Sequence, residues 1–500
     1  MRLPTRVTFL FALMVLAGIG LGSRFVYWQV FRYQDLSKLA LAERERTFTI
    51  PAKRGDILTG DGFLVATDVF VYQVAAHPAV MRDAIKPQIA SFLSPLLGIP
   101  QGKLIELLNQ KDQTVMLTLQ APSQIGPQLD ALRAEEKIPG IDFVAMPRRT
   151  YPGNSFMAHV LGFVNAERKG AYGVEQFYNT ELTGKDGVKK IIADVAGDDP
   201  LPFDLPTGTE VQNGASLELT IHSGIQNIAE RELTRAVISN GATSGSVVIL
   251  DARTGAIRAM ANYPTANLNQ YGQTPLSLYN NASLSQEYEP GSVFKVVTLS
   301  CALDYGVVNM NSSFNDTGSV TIGGRSIYNH DFLKPGIVDL VTVMRQSLNV
   351  EAARMALLMG ANRFYDCVKR FGFGTSARVD MASETGGTLK LPGDGRWYEA
   401  DLGTNAFGQG IAATPLQMAS ALLVIANDGV WVQPHVVERK IFPDGKVEAY
   451  QMKGSRQTIR PETARLAAQI LTRSIAAEST NLAVVPGYKI TGKTGTSQIP

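Results

Sequence analysis

The stretch that decides the fold is Ser292-Val-Phe-Lys295, which is followed along the chain by Ser347-Leu-Asn349 and Lys493-Thr-Gly-Thr496. A chain of this length contains roughly one or two S-x-x-K matches, and about as many S-x-N matches, by chance, whereas K-T-G arises about once in ten such chains. No single motif is therefore decisive. Their conjunction in this order predicts an acyl-transfer site built on serine and lysine.

The residues around Ser292 predict a helix. Glu289-Pro290-Gly291 precedes the serine, and residues 293–303 are mostly apolar. We expect Ser292 in the first turn of a buried helix with Pro290 near its start. Lys295 then lies one turn along, where its amine reaches the serine hydroxyl. The helix N-terminus also favours negative charge developing at the serine.

Lys295 acts as a base only when its amine is neutral. Moving the pKa of a lysine from about 10.4 toward 7 corresponds to roughly 4–5 kcal/mol. We expect burial and the like charge of Lys493 to supply this shift. Ser347 is predicted to relay the proton to a leaving amine, and the Asn349 amide to donate to and accept from a peptide-like substrate. Ser292 and Lys295 alone are also compatible with an ordinary helix start and a lysine that extends to solvent.

A competing motif involves the same lysine. Residues 487–494 satisfy the phosphate-loop pattern G-x-x-x-x-G-K-[ST]. A phosphate loop has to open a helix, but Gly495, Thr496 and Ser497 follow, and then Pro500. Residues 488–496 instead favour an extended edge strand rich in threonine. We therefore expect no nucleotide and no other cofactor.

The start of the chain predicts a membrane anchor. Residues 7–23 are apolar and uncharged, and Arg2 and Arg6 precede them, which indicates a cytoplasmic N-terminus. A cleaved secretion signal is the alternative. However, there is no clear cleavage site of small residues, and Tyr27 and Trp28 are typical of side chains at a membrane interface. In both cases the rest of the chain lies outside the cytoplasm.

Composition excludes several classes of function. A net charge of +2 is evidence against nucleic acid as a partner. Two cysteines are too few for a disulfide framework, and Cys301, inside an apolar segment, is most simply a core residue. No spacing of Cys or His indicates a metal site. The chain lacks a G-x-S-x-G elbow, which is evidence against a Ser-His-Asp hydrolase.

Local patterns indicate the remaining organisation. Alternating residues around the turn Thr59-Gly60-Asp61-Gly62 predict strands, and residues 196–209 are typical of a connector. Ser216–Ile221 is predicted to be a strand, and 223–237 an amphipathic helix capped by Ser223. A linker at 240–245 then introduces a predicted hairpin of strands 246–250 and 256–262.

These residues resemble the class B penicillin-binding proteins, the membrane-anchored transpeptidases of bacterial cell-wall synthesis. The resemblance covers nearly the whole chain after the anchor. It rests on Tyr288–Lys295, Phe371-Gly-Phe-Gly374, Ala406-Phe-Gly-Gln-Gly410, Thr414-Pro-Leu-Gln417, Ala426-Asn-Asp-Gly429, Arg54-Gly-Asp-Ile57 with Asp61-Gly62, Arg149-Thr-Tyr-Pro152 and Gly173-Val-Glu175. In the amino half we assign the glycines and arginine of these motifs to turns and inter-domain packing rather than to catalysis.

The resemblance implies an α+β chain with an elongated mixed α/β pedestal. Beyond the pedestal it implies a transpeptidase domain of serine β-lactamase-like fold, with an antiparallel sheet between helical layers. The implied boundaries are a cytoplasmic tail at 1–6, a transmembrane anchor at 7–31, a stalk at 32–48, the pedestal at 49–240 and the transpeptidase domain at 241–500.

The resemblance also implies the chemistry. Ser292 attacks the carbonyl between the two D-alanines of a stem peptide, and an amine of a neighbouring strand then takes the acyl group. Lys295, Ser347 and Lys493 are the further catalytic residues. Substrate is bound by Asn349, Thr494, Gly495 and Thr496, and the backbone N–H groups of Ser292 and Thr496 form the oxyanion hole. Penicillin mimics the dipeptide and traps Ser292 as an ester.

The implied partners are stem peptides, β-lactams, the inner membrane and a SEDS-type glycosyltransferase with other division or elongation proteins. A β-lactam-hydrolysing or β-lactam-sensing acyltransferase, a bifunctional penicillin-binding protein and a non-catalytic scaffold of the same fold are alternatives. No E-x-x-L-N segment follows Asn349, residues 47–239 do not resemble a glycosyltransferase, and a scaffold has no need of the catalytic residues. The motifs around Ser292 and Gly408 lean toward a division role.

The position of the last motif adds one expectation. Pro500 comes four residues after Thr496, whereas in this family two further strands and a helix follow the K-T-G strand. We therefore expect the natural chain to continue. A chain ending at Pro500 is expected to acylate slowly or not at all, because unpaired strand groups each cost about 1–3 kcal/mol when buried.

Overall fold

The computed structural model describes residues 5–192, 207–476 and 483–497. In chain order the α-helices are α1 Thr5–Val26, α2 Tyr33–Arg44, α3 Lys86–Leu97, α4 Gln101–Leu108, α5 Gly126–Ala134, α6 Ala158–Leu161, α7 Gly173–Phe177, α8 Asn179–Thr183, α9 Ser223–Ser239, α10 Ala282–Ser285, α11 Lys295–Asp304, α12 Leu340–Arg345, α13 Asn349–Met359, α14 Ala361–Arg370, α15 Glu399–Asn405, α16 Pro415–Ala426 and α17 Pro461–Ala476. Short 3-10 turns occupy Pro78–Val80, Asp83–Ile85, Ser123–Ile125, Leu268–Gln273, Leu276–Tyr279 and Gly291–Phe294, and a π-helical turn occupies Tyr27–Phe31.

The strands are mostly short. In chain order they are β1 Glu45–Ile50, β2 Ile57–Leu58, β3 Leu64–Ala76, β4 Val115–Pro122, β5 Ile141–Thr150, β6 Phe163–Val164, β7 Gly170–Ala171, β8 Gly187–Ile192, β9 Thr207–Thr209, β10 Ser216–Leu219, β11 Gly245–Leu250, β12 Ile257–Tyr263, β13 Ser313–Asp316, β14 Ser319–Ile322, β15 Arg325–Tyr328, β16 Gly336–Asp339, β17 Val430–Val432, β18 Val437–Ile441, β19 Val447–Ala449 and β20 Ser455–Gln457. Residues 196–206 of the predicted connector at 196–209 lie outside the described residues, and its last three residues form β9.

The chain divides into two compact units, Met1–Ala52 with Lys185–Asn213 and Lys53–Gly184 with Gly214–Pro500. The predicted boundary between residues 240 and 241 does not coincide with this division and stays a prediction.

The first unit contains the predicted anchor. α1 and the π-helical turn after it span 27 residues, which include an 18-residue apolar window with a mean hydropathy of 2.0, and none of the 27 is buried. At 1.5 Å per residue this helix is about 40 Å long, enough to cross a hydrocarbon core of about 30 Å. The predicted stalk is mostly α2. It leads into a three-stranded antiparallel sheet of β1, β8 and β9.

A seven-stranded sheet runs through the second unit in the order β19-β18-β10-β2-β3-β4, and β5 pairs with β3. β10 pairs in parallel with β2 and antiparallel with β18, so strands from the two halves of the sequence share one sheet. The predicted turn at 59–62 is confirmed, because β2 and β3 pair antiparallel on its two sides. Gly62 has a φ of +83°, which favours glycine there.

The predicted hairpin is confirmed as β11 and β12, which pair antiparallel. Buried alanines of β12 face the apolar side of α9, and side chains of β11 with those of α16 and α17 line an apolar groove of about 330 Å³ on the other side. This two-stranded sheet therefore lies between helical layers.

The cap of α9 differs from the prediction. Ser223 is the first residue of the helix, and His222 is the N-cap residue, with Nδ1 accepting a hydrogen bond from the Gly224 N–H at 3.2 Å. The Ser223 hydroxyl donates instead to Asp61 Oδ2 at 2.5 Å. Ser223 donates to Asp61 because a hydrogen bond from a hydroxyl to an ionised carboxylate is charge-assisted and stronger than one between neutral groups.

The prediction that Cys301 is a core residue is confirmed, because its side chain is fully buried. It also forms a disulfide with Cys367, which was not predicted. Cys301 lies on α11 and Cys367 on α14, so the bond ties these two helices together. Local sequence predicted the burial correctly and missed the partner, which lies 66 residues away.

The edge strand predicted over residues 488–496 is wrong. The described residues from 483 to 497 form turns and irregular backbone. Among the described strands, β11 and β12 pair only with each other, so the segment has no ladder partner. Side chains hold it against α17, where the hydroxyls of Thr491 and Thr472 are 2.7 Å apart.

Candidate active site

Ser292 lies in a 3-10 turn that continues directly into α11. The turn spans Gly291–Phe294, Pro290 precedes it, and Lys295 is the first residue of the α-helix. The predicted spacing is therefore realised with a tighter first turn than an α-helix has. A 3-10 turn nearly eclipses the side chains at i and i+3, which brings Lys295 alongside Ser292.

A glycine-rich loop supports this turn from the other side. Gly291 has a φ of +56° and donates its N–H to the Gly408 carbonyl at 3.1 Å. A Cβ on Gly408 would lie 2.3 Å from the Gly291 oxygen, so only glycine fits there. Glu289 Oε1 accepts a hydrogen bond from the Gly410 N–H at 2.7 Å. The sequence motif at 406–410 marked this loop, but its contact with the serine turn was not predictable from it.

Lys295 is fully buried and connects the first two motifs. Its Nζ atom lies 3.0 Å from Ser292 Oγ, 3.1 Å from Ser347 Oγ and 2.7 Å from Asn349 Oδ1. It also hydrogen-bonds to the Ser347 carbonyl oxygen. The structure therefore brings four of the predicted site residues around one nitrogen atom.

The electrostatics of Lys295 are those of a buried cation without a counter-ion. Burial lowers the pKa of Lys295 well below its ordinary value, and the positive charge of Lys493 lowers it further. No carboxylate in the described part of the chain is within ion-pair distance of Nζ. Burial and the charge of Lys493 therefore both act in favour of the neutral amine.

Ser347 and Asn349 precede and begin α13. Ser347 has a φ of +55°, a strained conformation for a residue with a side chain, and this turns its carbonyl and hydroxyl toward Lys295. The Asn349 amide has its oxygen on Lys295, and its Nδ2 donates to the Tyr328 carbonyl at 3.1 Å. Sequence analysis missed Tyr328, because a backbone oxygen leaves no signal in residue type.

The third motif lies against the serine turn. A Cβ on Gly495 would be 2.5 Å from Val293 Cγ2, and one on Gly291 would be 2.6 Å from the Thr496 carbonyl oxygen. Lys493 is half-buried, and its Nζ donates to the Thr494 carbonyl at 2.8 Å. Thr494, Gly495 and Thr496 are exposed. All eight predicted site residues thus lie in the same region.

A second buried polar cluster occupies the amino half of the second unit. Glu175 accepts hydrogen bonds from Arg54 Nε at 2.6 Å, from Arg149 Nε at 2.7 Å and from the Tyr151 hydroxyl at 3.2 Å. Asp68 lies 3.4 Å from the Arg149 guanidinium. Desolvation acts to raise the pKa of Glu175, but the charges of Arg149 and Arg54 outweigh it and lower that pKa below its ordinary value.

The described residues contain no group of three or more His, Cys, Asp or Glu side chains that is able to hold a metal ion.

Residues 245–500 match the family described as penicillin binding protein transpeptidase domain. Residues 49–219 match the family described as penicillin-binding protein dimerisation domain. The two matches together span most of the chain after α1, and the first includes every residue of the site.

Curated relatives are similar in sequence over long stretches. The chain is 30% identical to peptidoglycan D,D-transpeptidase FtsI of Escherichia coli K12 over 434 residues, which cover 85% of this chain and 72% of that protein. It is 28% identical to probable peptidoglycan D,D-transpeptidase PenA of Neisseria meningitidis over 495 residues, covering 99% and 82%. It is 27% identical to stage V sporulation protein D of Bacillus subtilis over 497 residues, covering 99% and 76%.

Solved structures share the fold. A peptidoglycan synthetase from Bifidobacterium adolescentis superimposes with a TM-score of 0.72 at 25% identity, covering 91% of this chain and 86% of that chain. Penicillin binding protein 3 of Mycobacterium tuberculosis, solved as a complex with aztreonam, superimposes with a TM-score of 0.68 at 23% identity, covering 90% and 83%.

Proposed function

The chain belongs to the class B penicillin-binding proteins and is a peptidoglycan D,D-transpeptidase, and we propose that Ser292 is the residue that carries the acyl group. The protein is anchored in a membrane. β-Lactams are expected to acylate the same serine, because their ring presents a strained amide where the substrate presents the bond between its two D-alanines.

The contacts of Lys295 carry this proposal. A neutral amine has two N–H groups and one lone pair. The Ser347 carbonyl and Asn349 Oδ1 are oxygens that only accept, so together they use both N–H groups. The lone pair is then left for a hydroxyl, and Ser292 Oγ at 3.0 Å is the nearest one. Lys295 is thus placed to accept the serine proton.

Acylation follows from this placement. Ser292 Oγ gives its proton to Lys295 and attacks the carbonyl carbon between the two D-alanines. The backbone N–H groups of Ser292 and Thr496 hold the developing oxyanion, and one such donor is typically worth about 2.7–4 kcal/mol. The packing of Thr496 against Gly291 supports this pairing. Ser347 Oγ, 3.1 Å from Lys295 Nζ, passes the proton to the leaving D-alanine amine.

Transfer completes the cycle. An amine from a second stem peptide attacks the ester carbonyl and forms the amide of the cross-link. The bond between the carbonyl carbon and Ser292 Oγ breaks, and the proton that the amine loses passes through Lys295 to Ser292 Oγ. Lys493, Thr494 and Thr496 bind the carboxylate end of the donor peptide, and Asn349 meets its backbone. Because the Asn349 amide is already tied to Lys295 and Tyr328, peptide binding by this residue uses its remaining hydrogen-bonding capacity.

Labelling with a fluorescent penicillin tests the assignment of Ser292. Ser292→Ala is expected to abolish covalent labelling, and mass mapping of the wild-type peptide is expected to locate the adduct on Ser292. The matched control is Ser300→Ala on the same helix, whose hydroxyl only bonds to the Val296 carbonyl. Labelling that survives Ser292→Ala would refute the assignment.

The orientation and partner are also proposals. Arg2 and Arg6 precede the anchor, so we place the N-terminus in the cytoplasm and the catalytic residues outside it. Because neither matched family is a polymerase, the glycan strands must come from another enzyme, for which we propose a SEDS-type glycosyltransferase in the same membrane. Co-purification should be lost when residues 1–60 are replaced by an unrelated anchor; retention at the wild-type level would count against this docking surface.

A further inference from the structure

A second layer of polar residues lies behind Asn349. Asn329 follows Tyr328, the residue whose carbonyl holds the Asn349 amide. The Asn329 side chain is buried, its Nδ2 donates to Asp316 Oδ2 at 2.9 Å, and its Oδ1 accepts from the Val350 N–H at 3.2 Å. One side chain therefore fastens the start of α13 to both β13 and the end of β15.

Glu351 follows Val350, to which Asn329 is hydrogen-bonded, and the environment of its carboxylate is unusual. It is fully buried, yet neither of its carboxylate oxygens makes a hydrogen bond with any residue in the described ranges. Its one ion-pair contact is Arg354 Nη1 at 3.3 Å. That guanidinium also donates to the Asn315 carbonyl, the residue next to Asp316. Burying an ionised carboxylate with so little compensation costs more than burying a neutral one.

We propose that Asn329 is a positioning residue for Asn349, and that its bond to Asp316 is fully formed only while Glu351 is uncharged. The proposal rests on the proposed role of Asn349 beside Lys295. It assigns Asn329, Asp316 and Glu351 a function in acyl transfer, although none of them touches the reacting atoms.

The charges around Glu351 explain the dependence. Arg354 on the same helix favours the ionised form, and Asp316 on β13 disfavours it. Burial is the largest influence, and together these effects raise the pKa of Glu351 to about 7. Below that pH the carboxyl is neutral and Asp316 is free to accept from Asn329. Above it, Glu351 gains a negative charge that interacts unfavourably with Asp316, and this repulsion loosens the hold on the start of α13.

The first experiment tests positioning by Asn329. Asn329→Ala in the full chain is expected to lower the first-order rate of acylation by penicillin about tenfold, the size of 1.4 kcal/mol. It should leave the dissociation constant of the initial reversible complex nearly unchanged. Asn315→Ala, which removes an exposed side chain one residue from Asp316, is the matched control. Equal acylation rates in the two variants would overturn the proposal.

The second experiment tests the proton on Glu351. The ratio of acylation rates, Glu351→Gln over wild type, is expected to be near one at pH 5.5 and to rise several-fold by pH 8.5. Titration of Lys295 affects both proteins equally and cancels in this ratio. Asp316→Asn, which removes the charge that Glu351 faces, should give a ratio that rises in the same way, so a folding defect in one variant leaves the test intact.

The outcomes separate this inference from the function on which it rests. If penicillin does not acylate the natural full-length protein at any pH, the proposed function is contradicted. A wild-type chain that acylates normally, with ratios that stay flat between pH 5.5 and 8.5 for both variants, would refute the role of Glu351 alone.

Discussion

Two of the protein's buried ionisable sites resolve the cost of burial in opposite ways. Around Glu175, two guanidinium groups surround one carboxylate, and the carboxylate is held ionised. Around Lys295, an equally buried ammonium has only neutral oxygens and a second cation nearby, and its pKa is lowered. Both side chains are fully buried, so the charges of the neighbouring groups decide whether each pKa shift favours the charged or the neutral form. The paired carboxylate of Glu175 holds its neighbours in a fixed structure, whereas the unpaired amine of Lys295 is able to exchange a proton.

Replacing Lys295 tests the catalytic side and has the largest expected effect. Lys295→Met removes the base and should lower the acylation rate by about 10²–10⁴-fold. The free energy of unfolding should change by less than about 1.5 kcal/mol, because one uncharged side chain replaces another of similar volume. Stopped-flow acylation and urea unfolding of the same preparation measure both. A collapse in stability would show that Lys295 is a paired structural charge like Glu175.

Replacing Glu175 tests the structural side. Glu175→Gln leaves two buried guanidinium groups without their counter-ion and should lower the free energy of unfolding by about 3–5 kcal/mol. The pKa of Glu175 is lowered in the folded state, so its contribution is present above the unfolded value of 4.5 and is lost as pH falls through the folded value. The difference in the free energy of unfolding between Glu175→Gln and wild type should therefore become smaller at acidic pH.

The control for Glu175 is an exposed ion pair. Glu448→Gln breaks its contact with Lys446, and the urea midpoint should stay where it is. Acylation per folded molecule should be equal in wild type and Glu175→Gln. If Glu175→Gln is as stable as Glu448→Gln, the cluster around Glu175 does not stabilise the fold, and its proposed difference from the site around Lys295 is contradicted.

Lys493 sharpens the comparison, because it places a like charge near Lys295, whereas Glu175 is bound directly by two opposite charges. Lys493→Gln removes one cause of the lowered pKa of Lys295, so that pKa should rise. The rate of acylation increases with pH as Lys295 loses its proton, and the midpoint of this increase should therefore move to higher pH. Lys489→Gln, an exposed lysine on the same segment, should leave the midpoint unchanged. An unmoved midpoint in Lys493→Gln would assign the whole pKa shift to burial.

The smallest expected effect concerns the hydroxyl at the edge of the structural cluster. Tyr151→Phe removes the hydrogen bond to Glu175 and should lower the free energy of unfolding by about 1.5 kcal/mol. Tyr263→Phe is the control, since its hydroxyl makes no hydrogen bond to a described residue. Urea unfolding measures both variants. Equal stabilities would mean that the two guanidinium groups alone hold Glu175 ionised.

The sequence was sufficient wherever the interaction is local. Three-residue spacing predicted that Ser292 and Lys295 meet, and the turn at 59–62 and the β11–β12 hairpin followed from turn chemistry. The side chains of Ser347 and Asn349 were identified by motif, and the structure places both against Lys295.

The sequence was insufficient wherever partners lie far apart or act through backbone atoms. The pairing of β10 with both β2 and β18, and the bond between Cys301 and Cys367, join segments that share no local pattern. The Tyr328 carbonyl is invisible in residue types. The predicted strand at 488–496 failed because alternation and threonine content describe a propensity, whereas a strand also needs a neighbour to pair with.

The disulfide makes part of the catalytic region a covalent ring. Cys301 and Cys367 are 66 positions apart in the sequence, and their bond closes the chain between them into a loop. Ser347, Asn349 and the β14–β15 hairpin all lie inside that loop. Phe332 and Leu333 lie in the irregular segment between β15 and β16, inside this loop, and are 72% and 57% exposed. A protease that cuts the chain there opens the ring, but the disulfide keeps the two fragments linked. The two fragments would migrate as one species until a reductant separates them.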